Sequence, residues 1–79
     1  MTTEQNKTRI RSFILNFIQD QNLRDDADIF ALGYVNSMFA MQLVLFVEKQ
    51  FGITVENEDL ELANFSSVNA IARLVERKR

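Results

Sequence analysis

Seventy-nine residues carry a formal charge of −2, with 47% hydrophobic and 25% charged side chains and no cysteine, histidine, tryptophan or proline. A chain this short has apolar residues for one core, so residues 1–79 are expected to form a single domain of ordinary globular composition. The missing cysteine and histidine exclude disulfides, Cys/His zinc sites, thiol nucleophiles and the usual general base of neutral pH, leaving hydroxyls, amines and carboxylates to carry any chemistry.

Residues 1–11 are polar and lack the apolar stretch of a signal peptide, from which a cytoplasmic location is expected. Ile10, Phe13, Ile14, Phe17 and Ile18 then recur at i, i+3, i+4, i+7 and i+8, the pattern of an amphipathic helix. Thr2 and Gln5 have capping-box spacing at its start, Glu4 sits in its first turn, and polar residues 20–22 stop it. Residues 21–36 form an Asp-rich connection with apolar anchors Leu23, Ile29, Phe30 and Leu32 and one permissive backbone position, Gly33. So long a connection in so small a domain suggests a functional loop.

A second helix is expected from about Ser37 to Phe51, closed by Gly52. Its apolar run, residues 38–47 broken only by Gln42, is half of what spans a bilayer, so it reads as a buried helix and not a membrane segment. Ile53 and Val55 are too few to make a sheet, and residues 58–63 suit a short helical turn. Ser66 or Ser67 then caps a last helix with Val68, Ile71, Ala72 and Val75 on one face. The expected fold is all-α, a small four-helix bundle of three main helices and one short one.

At about 100° per residue, Ala40, Val44, Val47 and Phe51 share one side of the second helix and are assigned to the core. Met38, Gln42, Leu45, Phe46 and Lys49 lie on the other. Large apolar groups mixed with polar ones mark that side as a candidate partner-docking face, unless the long loop covers it. Charge is segregated too: residues 20–61 carry a net −7, whereas residues 1–19 carry +2 and residues 62–79 carry +3. The acidic middle disfavours nucleic acid and favours basic partner surfaces.

Ser37 stands where the acidic loop meets this helix, after Asn36. The plain reading of Asn-Ser at a helix start is capping. As a hydrolytic nucleophile Ser37 lacks a histidine, a Gly-x-Ser-x-Gly elbow and a neighbouring lysine. A hydroxyl at a helix amino terminus is instead suited to accept a phosphate group by another enzyme's catalysis, because backbone N–H groups and the dipole stabilise the resulting phosphodiester.

The stretch Asp28-Ile29-Phe30-Ala31-Leu32-Gly33-Tyr34-Val35-Asn36-Ser37-Met38, with Gln42-Leu43-Val44 and Val47-Glu48-Lys49-Gln50-Phe51-Gly52-Ile53 after it, resembles the acyl carrier protein family over essentially the whole chain. The resemblance implies a four-helix fold whose second helix begins at a serine, here Ser37, carrying covalent 4′-phosphopantetheine derived from coenzyme A. It implies a carrier that is not itself an enzyme. Its partners would be a phosphopantetheinyl transferase and loading (adenylating or acyl-transferring), modifying and condensing enzymes, with neither nucleic acid nor membrane among them and the chain a monomer. Three residues separate Gly33 from Ser37 where the commonest carriers have two. That spacing is similar to the subgroup of D-alanyl carriers and of free-standing carriers of malonyl-type extender units in polyketide or hybrid peptide-polyketide assembly. Asn36 stands in place of the usual Asp, and Gln42 and Lys49 where fatty-acid carriers commonly have acids. Docking is therefore expected to lean on Met38, Leu45 and Phe46.

Two other readings fail on residues. A calcium loop starting at Asp26 would need an oxygen ligand at Phe30, glycine at Ala31 and glutamate at Ser37. A DNA-reading second helix would need more than the single cation Lys49. A plain protein-interaction domain, with Ser37 only a cap, remains the second class.

Overall fold

The computed structural model describes residues 3–18, 22–33 and 35–78. Along the chain come α1 (Thr3–Leu15), α2 (Ser37–Phe51), a 3₁₀ turn (Asn57–Asp59), α3 (Leu62–Phe65) and α4 (Val68–Lys78). There is no strand among the described residues, and the architecture is the all-helical one the periodicity requires, three main helices and one short. The expected capping box at Thr2, and the helix stop at residues 20 and 21, lie outside the described residues.

α1 lies against α4, with Ile10 and Ile14 wholly buried beside Ile71, Leu74 and Val75 in one core. It ends at Leu15, a turn earlier than the apolar spacing suggests. There Asn16 N–H donates to the Phe13 carbonyl (3.2 Å) and Phe17 N–H to the Ile14 carbonyl (3.0 Å), a tightening to three-residue steps. The tighter step turns Phe17 out, so that it is more than half exposed, while Ile18 remains in the core. α4 is covered by α1 on one side and α3 on the other, so its buried arc is wide enough to take in Leu74 as well as the expected Val68, Ile71, Ala72 and Val75. Of the two candidate serines it is Ser67 that caps it, accepting the Ala70 N–H at 3.0 Å. The turn expected at residues 58–63 is two pieces, the 3₁₀ turn and α3.

The core face of α2 differs from the simple wheel. Phe39 and Leu43 are buried with Val44, Val47 and Phe51, whereas Ala40 is only half-buried. Aromatic packing explains the shift. The Phe13 ring stacks on Phe46 at a centroid distance of 4.2 Å and an angle of 16°, and Phe17 meets Phe39 edge-on at 5.1 Å. Phe46, expected to face outward, is thereby half-buried and packed against the core. α2 closes at Gly52, whose φ of +64° is the left-handed conformation that glycine adopts without a Cβ penalty.

The long loop is tied down at several points. Leu23 and Ile29 are buried. The Arg11 guanidinium on α1 donates to the Leu23 carbonyl and pairs with the Asp25 carboxylate. The Asp25 carbonyl accepts the Asn69 N–H (3.0 Å), one of the orphan donors at the start of α4, and Ile29 N–H donates to the Ser66 carbonyl (2.8 Å). The loop therefore carries its own small apolar anchors and is stitched to both α1 and α4.

Leu43 is wholly buried, and Leu45, two residues on, is 61% exposed. Leu43→Ala is expected to lower stability by about 2–5 kcal/mol through the cavity it leaves. Leu45→Gln should stay within about 0.5 kcal/mol of the parent, as surface changes do. Urea unfolding followed by circular dichroism measures both.

Candidate functional site

Ser37 is delivered by a sequence of local bonds. The Asp28 carboxylate accepts the N–H groups of Phe30 and Ala31, both at 3.0 Å, while the Asp28 carbonyl accepts the Leu32 N–H at 3.0 Å. Such Asx geometry is why Asp favours turns. Gly33 follows with φ of +76°, its N–H donating to the Phe30 carbonyl at 3.1 Å. The chain then extends through Asn36, whose Oδ1 accepts the Phe39 N–H at 3.2 Å, as the N-cap of α2.

Because Asn36 is the cap, Ser37 is not. Ser37 occupies the first helical position, exposed, with its hydroxyl relieved of the capping task. No acidic residue lies in the first turn of α2, and the cap itself is a neutral amide. The helix end thus keeps its partial positive charge with no side-chain anion nearby in the first turn, a setting that stabilises an anionic group esterified at Ser37 Oγ.

Beside Ser37 runs a groove of about 220 Å³ between α2 and the segment around α3. Ser37, Ala40, Met41 and Val44 line one wall and Leu60, Leu62 and Phe65 the other, with Glu61 the one charged residue in the lining. Of the expected docking residues, Met38 is 74% exposed, and Leu45, Gln42 and Lys49 lie in water on the same flank of α2. Phe46 belongs with Phe13 instead. The sequence reading missed Met41, Leu60 and Leu62, all large, apolar and exposed at this groove. The available signal was Leu60 and Leu62 standing in a run of acids, apolar groups on a segment too short to bury them.

The far wall is held by a polar network. Asp59 Oδ2 accepts from the Lys78 ammonium at 2.9 Å and from the Glu56 N–H at 3.1 Å. Asn64 Nδ2 donates to the Asp59 carbonyl at 2.9 Å, and Arg77 Nη2 donates to Asn64 Oδ1 at 3.3 Å. The Lys78 hydrogen bond, reinforced by the Glu56 N–H, holds the Asp59 carboxyl below its ordinary 3.8, and the same bond raises Lys78 above 10.5. Glu58 is pushed above 4.5 by its hydrogen bond with Glu56, by the Glu56 charge and by that of Asp59. No helix among the described residues is long and apolar enough to cross a membrane, and no group of three or more carboxylates there is arranged to hold a metal ion.

The family model described as phosphopantetheine attachment site matches residues 12–75, from the last turns of α1 to Val75 in α4. No match to a curated protein was found.

Asp59 has a lowered folded value, so its contribution to stability is complete above the unfolded value and is lost as pH falls through the folded one. A carboxyl NMR titration is expected to place its midpoint below 3.8, and Lys78→Gln should move that midpoint back up.

Proposed function

The chain belongs to the phosphopantetheine-attachment family, and on that premise we propose that Ser37 is the residue to which covalent 4′-phosphopantetheine is attached and that residues 1–79 act as one carrier domain. The observation that supports this is the division of labour at the start of α2. Asn36 satisfies the cap, leaving Ser37 Oγ exposed at a helix end with no nearby first-turn anion. In the modification, a phosphopantetheinyl transferase joins Ser37 Oγ to the pantetheine-side phosphorus of coenzyme A. The pyrophosphate bond breaks, adenosine 3′,5′-bisphosphate leaves with the bonding electrons, and the hydroxyl proton passes to a base of the transferase. Attached there, the group supplies a thiol that holds a building block as a thioester. The chain's own task is presentation: tethering raises the local concentration of the building block at each partner, while weak docking permits release.

The partners in this reading are the transferase and loading, modifying and condensing enzymes, and the chain is a cytoplasmic carrier with no catalytic residue of its own. The Gly33 to Ser37 spacing, with Gln42 and Lys49 on the helix, supports a free-standing carrier in polyketide or hybrid peptide-polyketide assembly, the alternative being a D-alanyl or other aminoacyl or aryl carrier. Docking falls to the exposed flank of Met38, Gln42, Leu45 and Lys49, extended by Met41, Leu60 and Leu62 and bordered by Phe46. The intact mass of the protein isolated from its own host reads the length of the chain, the prosthetic group and any retained acyl group together.

Incubated with coenzyme A and a transferase, the parent should gain the mass of a phosphopantetheine group. Ser37→Ala should remain folded and gain none. Modification of Ser37→Ala would move the site elsewhere, and an unmodified parent would favour the plain interaction domain.

Electrostatic steering is a second, separable expectation. Asp28 and Glu48 are committed to backbone N–H groups of the fold, Glu48 Oε2 accepting from Val55 at 2.8 Å, so reversing their charge would disturb structure as well as field. Asp26 is exposed, with only Arg24 paired to it at 3.2 Å. Asp26→Lys is expected to raise the transferase KM mildly at low salt, with the difference from the parent fading above about 0.1 M, where the Debye length is about 10 Å. Equal KM values at low salt would remove steering from the account and leave attachment at Ser37 intact.

A further inference from the structure

The groove wall facing Ser37 is weakly founded by burial. α3 has four residues, far fewer than a helix needs to persist in water. Leu60 is 46% exposed and Leu62 62%, so Phe65 is the one large apolar side chain that anchors this wall in the core. At its carboxy-terminal end the wall is fixed by that ring and by the Ile29 to Ser66 hydrogen bond. At its other end the chain is tied to α2 at Val55, which packs against the core and donates to Glu48 Oε2 at 2.8 Å. Between Val55 and Phe65 the side-chain ties to the body of the protein are polar and come from the last turn of α4: Lys78 to Asp59, with Glu56 Oε1 at 4.0 Å, and Arg77 to Asn64. The last buried residue of α4 is Val75, so these two cations lie beyond the part of the helix that the core holds.

We infer that Lys78, assisted by Arg77, is a positioning residue for the groove beside Ser37. Glu56, Glu58 and Asp59 place three carboxylates within four residues, and the Lys78 ammonium is the cation paired with two of them. With it docked, the 3₁₀ turn stays closed and Leu60 and Leu62 are held opposite Met41 and Val44. With that charge withdrawn, the carboxylates repel one another and the wall loosens about its Phe65 end, while α1, α2 and the buried part of α4 keep their packing. The consequence at Ser37 rests on the carrier reading above; the motion itself does not.

Amide hydrogen exchange on the unmodified protein tests the motion. Lys78→Gln is expected to speed exchange of amides in residues 59–64 by about two- to fivefold, the range an exposed ion pair supports, without changing α1 or α2, and Lys78→Arg should restore the parent rates. Asp59→Asn should reproduce the acceleration, and adding it to Lys78→Gln should add little more. Unchanged rates in residues 59–64, or acceleration spread evenly over α1 and α2, would overturn the inference. With coenzyme A and a transferase, Lys78→Gln should change KM for the chain and leave kcat alone. Faster exchange with KM unchanged would show a wall that moves without bearing on Ser37, which also overturns the positioning role. Failure of the parent to be modified at all would sink the carrier reading, and the exchange result would identify that case because it is read without the transferase.

Discussion

The constraint on which the rest of the structure depends is that α2 carries more apolar surface than the elements packed on it cover. Ten of its fifteen residues are apolar and only Glu48 and Lys49 are charged. α1 and the turn after it supply Phe13 and Phe17 against Phe39 and Phe46, while α3 and the segment before it supply Phe65, Leu60 and Leu62 against Met41 and Val44. What is left in water, Met38, Met41 and Leu45, begins immediately after Ser37 and runs down one flank of the helix. In a monomer, exposed apolar groups collected at one place mark contact with something else. Here incomplete coverage begins next to Ser37, the proposed attachment residue.

The approach to that position is built from polar groups performing backbone duties. Asp28 closes its turn, Gly33 supplies the left-handed step, and Asn36 caps α2. Asn and Asp are comparable caps, so the neutral residue maintains the helix start at no cost in the bond. It differs in charge: with an amide in place of a carboxylate at the cap, a phosphodiester at Ser37, as proposed, would meet one anion fewer in the first turn. The amide at Asn36 is therefore consistent with attachment at Ser37 on electrostatic grounds as well as on geometric ones.

Apolar burial and polar ties divide the molecule into regions of different robustness. The contact between α1 and α4 and the inner face of α2 rest on wholly buried branched side chains, Ile10, Ile14, Leu43, Val47, Ile71 and Leu74. Their loss is felt throughout the fold. The loop before Ser37 and the wall across the groove rest more on hydrogen bonds and ion pairs, from Arg11, Asp25 and Ile29 in one case and Asp59, Asn64, Arg77 and Lys78 in the other. Segments held in that way open at lower free energy than a core does. Both flank the start of α2, where the proposed attachment residue Ser37 stands.

Much of this was legible along the chain because it depends on neighbours in sequence. Helical periodicity located α1, α2 and α4, Gly52 ended α2 where a left-handed residue was needed, and the order of loop, serine, apolar helix and Phe-Gly-Ile carried the family resemblance to Ser37. What the wheel could not supply was the width of the buried arc, since that depends on which elements arrive from elsewhere. α1 and the turn that ends it bring Phe13 and Phe17 to one side of α2, drawing Phe39, Leu43 and Phe46 inward, and no residue within α2 announces their arrival. Nor could local pattern decide between Asn36 and Ser37 as the cap, because either side chain is competent and only the entering chain direction selects one. The groove and its latch are the most remote case. They join residues 37–44, 56–65 and 77–78, which meet only after α4 has packed on α1 and brought its last turn against the 3₁₀ turn, a contact between segments with no relation in the sequence.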